Sequence, residues 1–282
     1  MISHIDRGTP YPLGTSQTAT GINFALFYEK SDPVRIRIID PSSLNVLHEI
    51  DMPFHTGQIR HCELGINQLP IGYQYVINEQ ALSDPYAKAL ITPQAWGERS
   101  TTYQPIPLLL PHTSFNWDNV SPPRLAKEDL VLYEMHVRGF TEDSSSGVSS
   151  PGTFLGMIDK IDHLKSLGIN AVELLPIHEF DETEYPPKNA LLQSVYQYFG
   201  YSSVNFFSLM NRYASLSTPG AVIDEFKLLV RELHRAGIEV ILDVVFNHTA
   251  EGNGQGPIYS YKNLGAPVYY LHQEDGQLAN YS

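Results

Sequence analysis

Three apolar runs in the second half of the sequence carry acids and imidazoles that could do chemistry. Glu134 sits in residues 131–137 (VLYEMHV) and Glu173 in residues 169–175 (INAVELL). A hydrolase uses two such carboxyl groups, one as acid or base and one as base or nucleophile. On strands, Glu134, Glu173 and the nearby His136 read better as buried members of a hydrogen-bonded network, because buried polar groups are ordinarily paired. The third run, residues 238–246 (IEVILDVVF), leads into Asn247 and His248. Strand alternation puts Asp243 and Asn247 on one side with Val245 between them. His248 faces the other way, at the end where the backbone leaves the ladder. Taken alone, an Asn-His pair at a strand end is equally a turn whose side chains cap backbone groups.

The segments between these runs are helical in pattern. Phe154, Ile158, Ile161, Leu164 and Leu167 recur at helical spacing and Gly168 stops them, which predicts one amphipathic crossover helix. Thr218-Pro219 starts a second helix, Val222, Phe226, Val230 and Leu233 form its stripe, and Gly237 ends it. Strand, helix, strand, helix, strand makes two right-handed βαβ crossovers over a parallel sheet. The stretch 177–217 is far longer than an ordinary βα loop, and long loops at the carboxyl ends of parallel strands build sites.

Ahead of this lies a different periodicity. The first ~80 residues alternate apolar and polar, as half-buried strands do. Ile22, Phe24, Leu26 and Tyr28 share one face; Val34, Ile36 and Ile38 share another, with Arg35 and Arg37 pointing away. Turn residues at Pro41-Ser42-Ser43, Thr56-Gly57 and Pro70-Ile71-Gly72 give the spacing of a small antiparallel sandwich. Pro105, Pro107, Pro111, Pro122 and Pro123 then mark a connection. The expected division is a sandwich over 1–103, a Pro-rich linker over 104–127 and the βα part over 128–282. Trp96 and Trp117 flank that linker and are expected to pack between the two parts.

The totals narrow the function classes. A formal net charge of −13, with no basic stripe, disfavours a nucleic-acid partner. The 17 Tyr and 12 Phe residues supply flat apolar surfaces of the kind that stack on sugar rings. The lone Cys62 excludes an internal disulfide and reads as a half-buried structural thiol. No run approaches the ~20 apolar residues of a membrane span, and the first residues lack a secretory pattern, so a cytoplasmic protein with no membrane partner is expected. No Asp/Asn-rich loop suggests a metal, and no cofactor is expected.

Three motifs then carry a resemblance. Asp243-Val244-Val245-Phe246-Asn247-His248 resembles the D-x-x-x-N-H close of the third barrel strand in α-amylase-superfamily enzymes. Residues 168–176 (GINAVELLP) resemble that family's second-strand segment, and Tyr198-Phe199-Gly200-Tyr201 the aromatic-Gly-Tyr motif of the following loop. LYEMHVRGFT, VNFFSLMNRYAS and VVFNHTAEGN look like the isoamylase and bacterial glycogen-debranching group, and YPLG, GINFALF and SDPYAKAL like the sandwich that precedes such barrels. The resemblance implies an immunoglobulin-like β-sandwich carbohydrate-binding module, then about three strands of a (β/α)8 TIM barrel.

It also implies a debranching hydrolase for α-1,6 bonds of glycogen, amylopectin or limit dextrin, working with retention. His248 would donate to hydroxyls of the sugar being cleaved, Tyr201 would stack beneath that sugar, and Asp243 and Asn247 would brace the site. A salt bridge to a later Arg is an equal reading of Asp243. The family's catalytic carboxylates lie on the fourth, fifth and seventh strands, so all are expected beyond Ser282 and the chain alone is expected to be inactive. The rivals are a glucan branching transferase, against which the long loop argues, and a non-catalytic glucan-binding or regulatory protein.

Overall fold

The alternating residues of the first half pair into two antiparallel sheets. The computed structural model describes residues 2–93, 95–97, 104–184 and 196–279. Residues 98–103, at the expected boundary, and 185–195, within the expected long loop, lie outside the described residues. The sandwich strands are β1 (Ile2–Asp6), β2 (Gly14–Gln17), β3 (Ile22–Phe27), β4 (Val34–Ile39), β5 (Val46–Asp51), β6 (Phe54–Thr56), β7 (Ile59–Ile66), β8 (Ile71–Ile77), β9 (Gln80–Leu82), β10 (Leu90–Ile91) and β11 (Ile106–Leu109). One sheet runs β1-β7-β3-β2 with β6 on β7; the other runs β10-β11-β8-β4-β5 with β9 on β8. The residues read as one face of each run, among them Phe24, Leu26, Ile36, Ile38 and Leu64, make the shared core with Tyr73 and Tyr75. Cys62 is fully buried there, and burial pushes its thiol up to about 12. The Pro-rich linker supplies β11, whose Leu108 and Leu109 pair with Gly72 and Ile71. Its prolines lie mostly outside that four-residue strand, which leaves the ladder its donors.

The second half contains the expected parallel sheet, β12 (Leu132–Met135), β13 (Ala171–Leu174) and β14 (Glu239–Leu242). Among the described residues five α-helices accompany it: α1 (Val137–Thr141), α2 (Phe154–Ile158), α3 (Ile161–Ser166), α4 (Ala221–Arg235) and α5 (Tyr261–Tyr269). Two differences from the sequence reading stand out. The single crossover helix is two short ones, because Lys160 leaves helical geometry and Asp159 turns back to cap Ser149. The third strand ends at Leu242 rather than Phe246: its last ladder bond is Asp243 N–H to the Leu174 carbonyl, and the D-x-x-x-N-H run is loop. On α4 the buried stripe is Val222, Glu225, Leu229 and Leu233, with Phe226 and Val230 half-buried. Glu225 is buried because its carboxylate accepts from the Ser215 and Leu216 amides and the Ser215 hydroxyl. No described helix is long and apolar enough to cross a membrane.

The halves meet along a polar seam. Asn205 donates to the carbonyls of Asp84 and Pro85, Ser208 to Ala87, Asn211 to Leu90 and Ser260 to Ser83. Leu264 of α5 enters the sandwich core. Gly265 makes that approach possible, since a Cβ there would sit 2.7 Å from the Phe27 ring. Trp96 packs between the parts as expected, against Phe180 and Tyr213. Trp117 is 42% exposed and stacks edge-on with Phe115, beside Arg231 of α4.

Candidate functional site

Two histidines hold the loop that carries Tyr201. His136 follows β12 and caps α1: its Nδ1 accepts from the Gly139 amide at 3.0 Å, which leaves Nε2 to donate to the Tyr198 carbonyl at 2.7 Å. The Tyr198 ring stacks on the imidazole, with centroids 4.3 Å apart. Burial lowers the pKa of His136, so the neutral ring is favoured. At the other end, His248 Nε2 donates to the Tyr201 carbonyl at 2.7 Å. The loop between turns at Gly200, where φ is +80° and a Cβ would lie 2.9 Å from the Phe180 ring. Tyr198-Phe199-Gly200-Tyr201 is thus clamped from the ends of the first and third parallel strands.

Tyr201 and Asp243 join through the phenol, whose hydroxyl donates to the Asp243 carboxylate. Burial and that carboxylate push the Tyr201 phenol up to about 12, with Glu134 and Glu173 adding to the effect. Among the described residues Asp243 has no basic partner, so its observed mate is a tyrosine rather than an arginine. Glu134 and Glu173 face each other in register on β12 and β13, but Glu134 is exposed and Glu173 half-buried. They are not the buried network members the sequence suggested. Their face of the sheet is uncovered by any described helix, whereas Val172 and Leu174 point to the helical side.

The site therefore brings together Tyr201, Asp243 and His248, and only in part Asn247. Asn247 is exposed and has no side-chain hydrogen bond among the described residues, so it braces nothing here. His248 already uses its Nε2–H on the backbone, which leaves Nδ1 to face a ligand. The assembly joins an exposed tyrosine ring to acidic groups, which suits an uncharged, hydroxyl-rich ligand better than an anion.

Two further groups shape the site. Glu251, 1% exposed, accepts from the amides of Tyr259, Ser260 and Lys262 and from the Tyr270 hydroxyl, fixing the loop after His248 against the start of α5. Arg212 lies between Glu179 at 3.5 Å and Glu182 at 2.9 Å, all buried, with its guanidinium 4.8 Å from the Trp96 ring centroid. Glu179 and Glu182 lie in a stretch whose pattern carries no period, so no local signal singled them out. Among the described residues no group of three or more His, Cys, Asp or Glu is arranged to hold a metal.

Comparison with known proteins adds three findings. A family model for the α-amylase catalytic domain matches residues 128–273. Isoamylase 1, chloroplastic, of Arabidopsis thaliana is 40% identical over 306 residues, covering 99% of this chain and 39% of that protein. A glycogen operon protein GlgX homolog of Mycobacterium tuberculosis is 33% identical, over 93% of this chain and 40% of its own length. The crystal structure of a group B Streptococcus pullulanase in complex with maltotetraose superposes with a TM-score of 0.78 at 25% identity, over 95% of this chain and 37% of that one. The chain spans about two fifths of the length of these curated relatives.

Proposed function

Because the chain belongs to the α-amylase superfamily, in its isoamylase and glycogen-debranching group, we propose that its protein hydrolyses α-1,6 bonds of a branched α-glucan with retention, and that residues described here form the wall of the sugar site. The observation carrying this reading is that Tyr201 is held beside the carboxyl ends of the parallel strands at two points, its hydroxyl on the Asp243 carboxylate and its carbonyl on the His248 imidazole. In the proposed complex a glucosyl ring lies on the Tyr201 face, where apolar C–H bonds meet the aromatic ring. One of its hydroxyls donates to His248 Nδ1, and Asp243 holds the phenol in place. Asn247 is left to contact ligand directly.

The sandwich over 1–103 is proposed as a carbohydrate-binding module, 104–127 as the connection, and 128–282 as the opening part of a (β/α)8 barrel. Similarity to isoamylase and GlgX relatives, and to a pullulanase solved with maltotetraose, supports this reading. A cytoplasmic setting is part of it, although the plant relatives are named as chloroplastic. No described carboxylate is assigned the nucleophile or the acid.

Calorimetric titration with maltotetraose tests the proposal. The 282-residue chain binds, and His248→Ala and Tyr201→Ala each weaken binding by about tenfold, the scale of one hydrogen bond or one stacked ring. A chain with no affinity for any maltooligosaccharide would defeat the sugar reading. Linear chains released from glycogen by these 282 residues would defeat the assignment of its carboxylates.

A further inference from the structure

A cavity of about 230 Å³, with His248 in its lining, opens in the seam between the sandwich and the parallel-sheet half. Residues 246–249 form part of its lining, together with Tyr86 from the sandwich side, Phe207 from the long loop, and Tyr261 and Tyr270 of the α5 region. In a chain of net charge −13, not one residue lining it is Asp, Glu, Lys or Arg. What it offers is aromatic rings with an amide, an imidazole and hydroxyls among them. The Tyr261 hydroxyl, on a residue only 5% exposed, finds no acceptor among the described residues. The volume lies below the ~300–1,000 Å³ of drug-sized pockets and fits a single small ring.

The rings of Tyr86 and Phe207 stack with centroids 5.9 Å apart and planes 23° from parallel. Both also line a larger groove of about 1000 Å³, bounded by Thr15, Ser16 and Gln17 of β2 and by Asp224 and Lys227 of α4. Phe207 is 57% exposed, so its face is available. The pair is therefore a ridge shared by two concavities, the first of which also contains His248 and Asn247.

We propose that this seam is an additional α-glucan subsite. The small cavity takes one neutral glucosyl residue of the chain held at Tyr201 and His248, and the Tyr86–Phe207 ridge carries further residues of that glucan into the larger groove. The proposal rests on the sugar reading above and extends it. A pyranose has the required chemistry: apolar C–H faces for the rings, and hydroxyls that exchange hydrogen bonds with the exposed Asn247 amide. A peptide or an anion would meet neither a row of backbone partners nor a cation in the small cavity.

The test compares maltotriose with maltohexaose by titration into the 282-residue chain. Wild type is expected to bind the hexaose more tightly. Phe207→Ala, a change at an exposed ring, is expected to erase about three- to tenfold of that advantage, the scale of one aromatic stack, and Phe207→Tyr to restore it. His248→Ala lowers affinity for both sugars. If Phe207→Ala keeps the full length advantage, or Phe207→Tyr fails to restore it, the seam is not a subsite although the Tyr201–His248 site stands. If wild type binds neither sugar, the underlying reading falls and the subsite with it.

Discussion

A carboxylate removed from water needs a cation or a proton, and Asp84 has no cation beside it among the described residues. It accepts from the Tyr73 hydroxyl at 2.7 Å, the Tyr75 hydroxyl at 3.5 Å and the Tyr86 amide at 2.8 Å. These bonds only partly offset burial, which pushes Asp84 up from 3.8 to about 6. The folded chain thus holds this proton more tightly than the unfolded one. The stability it contributes is complete below about pH 4 and is lost as pH rises through about 6, a change on the order of 3 kcal/mol. Asp84→Asn cannot titrate but can still accept from Tyr73. Its stability relative to wild type, from denaturant melts, is therefore expected to improve by that amount between pH 4 and pH 7, and a pH-independent difference would refute the account. At this scale the sequence was partly legible. Tyr201, Asp243 and His248 stood out by their resemblance to the family's motifs, but the use of the His248 N–H on the Tyr201 carbonyl, 47 positions away, did not. Asp84 escaped notice for a similar reason: what buries it is packing from Tyr73, Tyr75 and Asn205, which no local pattern encodes.

Between elements, the long loop is what the sequence could locate but not build. Its excess length over an ordinary βα connection marked it, and its described part is held by one 3-10 turn at Asn211–Tyr213, two isolated bridges and a buried ion cluster. Arg212 reaches Glu179 and Glu182 and donates to the Phe180 carbonyl, with its side chain 2% exposed. Phe180 in turn packs against Gly200, and Gly200 positions Tyr201. Replacing Arg212 by Leu leaves two carboxylates buried without their cation, which costs about 3–5 kcal/mol. Arg212→Leu together with Glu179→Gln and Glu182→Gln should recover a large part of that loss, because no charge is then stranded. Chemical denaturation of wild type and the two variants checks this, and an Arg212→Leu cost below about 1 kcal/mol would show the ion cluster to be exposed in solution. The strand that ended four residues early follows the same logic: the apolar run 238–246 spelled a strand, yet past Asp243 the backbone turns toward Glu251 and α5 instead of continuing the ladder.

For the molecule as a whole, the question is whether the two halves are independent. Alternation in one half and βα rhythm in the other were legible as strand patterns, while the seam was not, since it is built from single polar side chains and backbone carbonyls. Four side chains of the second half satisfy carbonyls between Ser83 and Leu90, and Leu264 is buried at 1% exposure in the sandwich core. Cutting at residue 127 would return Leu264 and Tyr261 to water and orphan those partners. The second half also carries exposed apolar residues around its small sheet, including Leu132, Ile241, Val244 and Phe246, and both β12 and β14 are edge strands. Open parallel edges with apolar neighbours pair with other chains unless something covers them. Residues 128–282 produced alone are therefore expected to aggregate and to show no cooperative melt, whereas residues 1–282 unfold in one transition that both near-ultraviolet and far-ultraviolet circular dichroism follow together. Leu264→Ala in the longer chain should lower that single transition by about 2–5 kcal/mol and move both signals equally, because a cavity in the sandwich core then destabilises both halves. A monomeric 128–282 with a sharp melt, or a Leu264→Ala chain in which the two signals separate, would mean that the seam joins two parts already stable on their own.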